Sequence, residues 1–130
     1  MREAIPVQYS INASLGIVFS SWYGVVTTSE IMNATERLRG DPEFDANFSE
    51  LIDMSEFRGT NATSAGLGGI IRKGDPYSPS SKHAVVAPGP AAYGIARMYQ
   101  NLGGDTRNIE VFRSAPDAKN WLGIVASSAT

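Results

Sequence analysis

Few side chains in this sequence could carry covalent chemistry. His83 is the single histidine and cysteine is absent. A metal site of ordinary kind draws on several histidines or on cysteine thiolates, so neither a metal nor a cofactor is expected. Counting alone does not exclude a Ser-His-Asp arrangement, yet no nucleophile-elbow pattern surrounds any serine. At the start of a predicted strand, His83 reads as a structural or exposed residue. Asp53, at a predicted strand end, reads as a cap for the loop that follows. No second carboxylate is spaced to act with it as an acid–base pair. No catalytic residue is assigned.

Binding chemistry has more candidates. Thr63, Ser64 and Gly66 lie where a helix is predicted to begin, and backbone N–H groups at such a point favour an anion or a partner's acceptor. Pro88-Gly89-Pro90-Ala91-Ala92 joins a strand's carboxyl end to a helix start, which makes Gly89 a second candidate. Neither stretch is a nucleotide fingerprint, since the G-x-G-x-x-G and Walker patterns are absent. Tight packing and turn geometry are the favoured explanation of both. A third group is Trp22, Tyr23, Tyr93, Arg97, Met98 and Tyr99, aromatic and long side chains at a strand end and along one helix. They could line an apolar pocket or an interface, or serve as core and rim.

Bulk properties narrow the classes. Eleven basic against thirteen acidic residues give a net charge of −2, with no basic run. Sequence-independent nucleic-acid binding needs clustered cations, so no nucleic-acid partner is expected. The apolar fraction of 42% and charged fraction of 18% suit a globular domain, and 130 residues suit one core. No stretch approaches membrane-spanning length and residues 1–10 lack a signal-type apolar segment. A cytoplasmic protein is expected.

The elements that must position these residues follow from periodicity. Val7, Tyr9 and Ile11 alternate with Gln8 and Ser10, predicting a half-exposed strand; residues 15–23 predict its hairpin partner, broken at Gly24. Thr27 with Glu30 has capping-box spacing, and Gly40-Asp41-Pro42 closes the helix between them. Phe44 and Phe48 are expected to pin the connection that follows. A third strand is predicted over 50–54, a polar loop over 55–63, and a glycine-weakened helix over 64–72. Residues 73–82 read as loop. Ala84-Val85-Val86-Ala87 is continuously apolar, as in a strand covered on both faces. Pro90 opens a helix to Leu102 with Ala91, Ile95, Met98 and Leu102 as its buried stripe, and Gly103-Gly104 stops it. Residues 109–112 form a fifth strand. A short last helix starts at Ser114 and ends at Gly123. The order is ββαβαβαβα: an α/β fold with a mostly parallel, five-stranded mixed sheet and helices mainly on one face. Residues 1–123 make one domain and 124–130 a tail.

Beyond periodicity, specific strings resemble STAS-like domains, the anti-sigma-factor antagonists and their relatives. The similarity is greatest to small bacterial proteins described as STAS-like or lipid-binding-domain-like. It rests on Asp41-Pro42-Glu43-Phe44, on Leu51-Ile52-Asp53-Met54-Ser55, on the run Ala92-Tyr93-Gly94-Ile95-Ala96-Arg97-Met98-Tyr99-Gln100, and on Val111-Phe112-Arg113 with Ala118 and Trp121-Leu122. The resemblance implies a non-enzymatic regulatory module acting by protein–protein binding. It places Ser64 on the phosphorylated serine of the antagonists, where Gly66-Leu67 match but Thr63 replaces an aspartate. It also implies an alternative, a carrier or sensor of an apolar or lipid-like ligand held between the sheet and the helices at 28–39 and 90–102. A hydrolase without a recognisable motif ranks last. A homodimer through the helix-free sheet face is a further expectation.

Overall fold

The computed structural model describes residues 5–104 and 107–124, apart from the side chains of 71–74. The order along the chain is β1 (Val7–Asn12), β2 (Ile17–Val26), α1 (Thr28–Arg39), β3 (Ser49–Thr60), α2 (Ser64–Gly74), β4 (Lys82–Val86), α3 (Pro90–Gly103), β5 (Asn108–Phe112) and α4 (Ala115–Leu122). The strands lie side by side in sequence order in one five-stranded sheet. β1 runs antiparallel to β2, and the remaining pairs are parallel. The expected α/β architecture is therefore present. Of the predicted tail, only residue 124 is among the described residues.

Sequential order decides where the helices go. Each crossover advances one strand in the same direction, and crossovers of one hand stack their helices on one face. Ile31 and Ala34 of α1, Leu67 of α2, and Ala92 and Ala96 of α3 accordingly share one cluster with Ile52 and Val85. The alternate residues Leu51, Ala84 and Val86 point the other way and pack on Ala118, with Trp121 and Leu122 beside them. α4 follows the last strand and has no further strand to reach, so it is free to fold under the opposite face. β4 is thus enclosed on both sides, and Ala84, Val85, Val86 and Ala87 are all buried.

The face expected to be free of helices is therefore covered by α4 over its β3–β5 half. Over β1 and β2 it shows Gln8, Ser10 and Ser21, together with exposed Tyr23.

Capping chemistry sets the helix starts. The Thr27 hydroxyl accepts from the Glu30 N–H at 3.2 Å while the Glu30 carboxylate accepts from the Thr27 N–H at 2.8 Å. This reciprocal box satisfies two otherwise orphaned donors. Phe44 and Phe48 pack with Val18, Leu38 and Tyr77, pinning the α1–β3 connection as expected.

Three expectations are corrected. Gly24 does not end β2; it takes a φ of 61° at a register shift, and the strand continues to Val26. Residues 55–60 are strand, not loop. They pair with the end of β2, from Tyr23 with Glu56 to Val26 with Thr60. Phe57 anchors this extension, buried with its ring centroid 6.3 Å from that of Trp22. Ser55, Glu56 and Arg58 are exposed, which is why the stretch reads as polar.

The third correction concerns α3. Its fully buried residues are Ala92, Ala96 and Gly103; of the predicted stripe, Ile95 and Met98 pack half-buried against the core, whereas Ala91 and Leu102 are exposed. Small residues win this face because the helix lies close to the sheet. A Cβ at Gly103 would come within 2.7 Å of the Ile109 Cδ1 and 2.9 Å of the Arg107 Cβ.

Candidate functional site

Between the sheet and helices α1–α3 lies a pocket of about 90 Å³. Its walls are apolar where strand and helix alternate inward: Val7, Ile52, Val85, Ile31, Leu67 and Ile95 are representative. Its polar lining comes from Tyr9, Ser20, Thr35, Glu50, Asp75, Tyr77 and Tyr99. The volume falls short of the few hundred Å³ usual for drug-sized ligands. It is also below the roughly 150 Å³ of an engineered cavity that accepts benzene.

Period two explains how polar residues arrive there. Ser20 lies between Val18 and Trp22 on the inward phase of β2, Glu50 precedes Ile52 on β3, and His83 precedes Val85 on β4. Glu50 and His83 stand opposite each other in the parallel register. The His83 Nδ1 lies 2.9 Å from the Glu50 Oε1, and the Ser20 hydroxyl donates to the Glu50 Oε2 at 3.3 Å. With a carboxylate for a partner, Nδ1 is assigned as the donor. His83 is 1% exposed, and its Nε2 has no hydrogen-bond partner among the described residues.

This order, serine to glutamate to histidine, puts the carboxylate in the middle. A nucleophilic serine needs the imidazole next to its hydroxyl, with the carboxylate behind. Here the two are separated by Glu50, so the imidazole cannot take the Ser20 proton directly. His83 is held in the interior by Glu50 and the edge-on ring of Tyr77.

Tyr77 is the unexpected member. It lies in a segment that reads as loop, yet it is buried at 8% exposure. Its N–H donates to the Asp75 Oδ1 at 2.6 Å, and the next residue's N–H donates to the Ala46 carbonyl at 2.7 Å, which tucks the ring inward. The ring stands edge-on to His83 and to Phe44, with centroids 4.8 and 5.1 Å away. Its hydroxyl is buried and makes no hydrogen bond of good geometry among the described residues, although the Glu50 carboxylate lies near enough to act on it both as a charge and as a distant acceptor. Burial first, then the charge of Glu50, pushes the Tyr77 pKa far above that of an ordinary phenol. Tyr99 is raised for the same reasons, burial before Glu50 and then Asp75. Asp75 is itself paired with Arg107 at 2.8 Å. The Tyr9 hydroxyl donates to the Asp41 Oδ2 at 2.8 Å; its pKa is raised by burial and then by that bond.

The residues singled out from the sequence separate into groups. Trp22 and Tyr99 line the pocket. Tyr23, next to Trp22, points the other way and is 37% exposed. Met98 packs half-buried against the core. Tyr93 is covered by the Arg113 guanidinium, 4.0 Å from its ring centroid. Arg97 is exposed and donates to the Gln100 side chain at 2.8 Å.

Thr63 and Ser64 are exposed at the start of α2. The Thr63 hydroxyl accepts from the Gly66 N–H at 3.0 Å, so threonine performs there the capping that an aspartate could. Gly66 sits close to Thr28; an added Cβ would lie 3.5 Å from its side chain. Gly89 caps α3 through its backbone alone. Asp53 lies within β3 rather than at a strand end before a loop; it accepts from the Ser55 N–H at 2.9 Å where the β2–β3 register shifts.

Sequence reasoning missed Ser20, Glu50 and Tyr77. The inward phase of β2 and β3 was the available signal for the first two. No local pattern marks Tyr77. Among the described residues no cluster of His, Asp and Glu could hold a metal, and no helix is long and apolar enough to cross a membrane.

No family model matches the chain, and no curated protein matches it in sequence. Among solved structures it is similar to an uncharacterised protein of the DUF3478 family with a SpoIIAA-like fold from Shewanella loihica PV-4. The identity is 17%, the TM-score 0.60, and the match covers 89% of this chain and 91% of the other. Strand order, crossover pattern and this likeness agree: the chain has the SpoIIAA-like, that is STAS-like, fold.

Proposed function

We propose that this chain is a non-enzymatic STAS-like module that binds a compact small molecule between its sheet and helices α1–α3. The observation that carries this reading is the Tyr77 hydroxyl, buried with no hydrogen bond of good geometry in an otherwise largely apolar pocket. An unmade buried hydrogen bond costs about 1–3 kcal/mol, a penalty that a ligand can remove. The pocket volume supports a compact ligand over an extended acyl chain.

The test is to fill the space. Ala34 lines the pocket and is 7% exposed. Ala34→Leu is expected to abolish binding of compact fragments in saturation-transfer NMR while thermal unfolding stays cooperative. Cavity filling commonly stabilises by about 0.5–2 kcal/mol. Equal fragment binding by both proteins sinks the pocket as the site.

A second reading, a protein partner on the α2 surface around Ser64, is favoured by one observation. α2 contributes Leu67 and Ile70 to the pocket wall while exposing Thr63, Ser64 and Ala65. Ligand binding and partner binding would then share one element, and phosphorylation of Ser64 would add charge at the same helix start. Amide signals of residues 63–65 should move when the pocket fills; if they stay fixed, the two surfaces are uncoupled. A homodimer through the β1–β2 part of the sheet would be compatible with either reading. Light scattering that returns the monomer mass removes it.

A further inference from the structure

We infer that the pocket selects a small neutral molecule carrying a hydroxyl or primary amide on a compact apolar body, and that it rejects carboxylates and phosphates of the same size. The inference rests on the small-molecule reading above and adds the ligand's chemistry.

Three observations point this way. First, the charged side chains among the described lining residues are Glu50 and Asp75, both acidic. Arg107 pairs with Asp75 at 2.8 Å and offsets its charge, and Arg37 is held by the Val7 carbonyl at 3.3 Å, which leaves Glu50 as the repelling charge. An anion entering the pocket would meet like charge with little water to screen it.

Second, the polar groups at the pocket have complementary needs. The Tyr77 O–H makes no hydrogen bond of good geometry, even to the nearby Glu50, while Glu50 is acceptor-only and, beyond His83 and Ser20, has lone pairs to spare. A hydroxyl matches both groups, because its oxygen can accept from Tyr77 while its proton goes to Glu50. A primary amide matches in the same way through its carbonyl and N–H. A carboxylate could accept from Tyr77 but has nothing to donate to Glu50. Third, the remaining wall is Val7, Ile52, Val85, Leu67 and their neighbours. Such a wall rewards an apolar body and penalises an ammonium group, which would lose its water there.

The volume of about 90 Å³ sets the probe size at a few carbon atoms. The experiment titrates 1-butanol, butyramide and butyrate into the full chain, followed by saturation-transfer NMR and by the ring signals of Tyr77. The expected result is binding of 1-butanol and butyramide, with butyrate at least about tenfold weaker, a difference of about 1.4 kcal/mol. Tyr77→Phe, which keeps the ring and its packing, should weaken the two neutral probes by a similar factor. Glu50→Gln should bring butyrate to within about threefold of butyramide, since the repelling charge is gone.

Butyrate binding the unaltered chain as well as butyramide overturns the ligand class and leaves the pocket reading standing. So does continued exclusion of butyrate by Glu50→Gln while butyramide still binds. If none of the three probes binds, both the class and the pocket reading fall. Should Glu50→Gln unfold, the comparison of butyrate with butyramide on the unaltered chain still decides.

Discussion

Glu50 and His83 show why residue chemistry must be read together with strand phase. Each looks ordinary in the sequence, a charged residue and a lone imidazole ahead of an apolar run. Inward phase and parallel register place them opposite each other, 2.9 Å apart. The pair lies where water is scarce, so breaking it one-sidedly is costly. His83→Leu should destabilise by about 1–3 kcal/mol, because it leaves a Glu50 oxygen without its donor. Replacing both partners with apolar residues removes the stranded group, so His83→Leu with Glu50→Leu should recover most of that loss. Urea denaturation midpoints on the three variants give the cycle. Strict additivity would mean that the two side chains are not coupled.

At the scale of elements, α3 shows how close packing overrides a pattern of large apolar residues. Ala91, Ile95, Met98 and Leu102 have helical spacing and hydrophobic character, so the sequence points to them as the buried stripe. Ile95 and Met98 do pack against the core, but the deepest positions are Ala92, Ala96 and Gly103, because near approach favours residues with little side chain. Gly103→Ala is the sharpest test. Alanine is the better helix former by roughly 1 kcal/mol, so an exposed site would gain stability from it. Here the new methyl meets Ile109 and the Arg107 Cβ, and overpacking of this kind costs about 1–3 kcal/mol. A net loss in chemical denaturation is expected; a gain would place the helix farther from β5.

Much of the fold was legible in the sequence. Strand and helix order, the Thr27 box and the doubly buried β4 follow from local patterns, and all were readable. The outer half of β3 was not, because one apolar residue, Phe57, anchors a strand whose neighbours Glu56 and Arg58 face water. The pocket was readable in part: Trp22 and Tyr99 come from elements with clear periodicity, whereas Tyr77 comes from a loop folded inward by backbone bonds to Asp75 and Ala46.

For the molecule as a whole, the buried phenols make stability depend on pH in one direction. In the folded protein Tyr77 and Tyr99 hold their protons above the ordinary phenol value of 10.0, whereas in the unfolded chain they lose them near it. Above that pH the folded state binds more protons than the unfolded one, so stability must fall as pH rises. Their contribution is therefore intact below about pH 10 and is lost progressively beyond it. A fully buried tyrosine gives a limiting slope of about 1.4 kcal/mol per pH unit. Urea midpoints at pH 8 and pH 11 should differ in that sense, and Tyr77→Phe should flatten the decline because phenylalanine has no proton to lose. An alkaline decline of the same steepness in Tyr77→Phe would mean that water reaches this hydroxyl in the folded state. The pocket would then lack the buried donor, free of any well-formed bond, on which its proposed ligand depends.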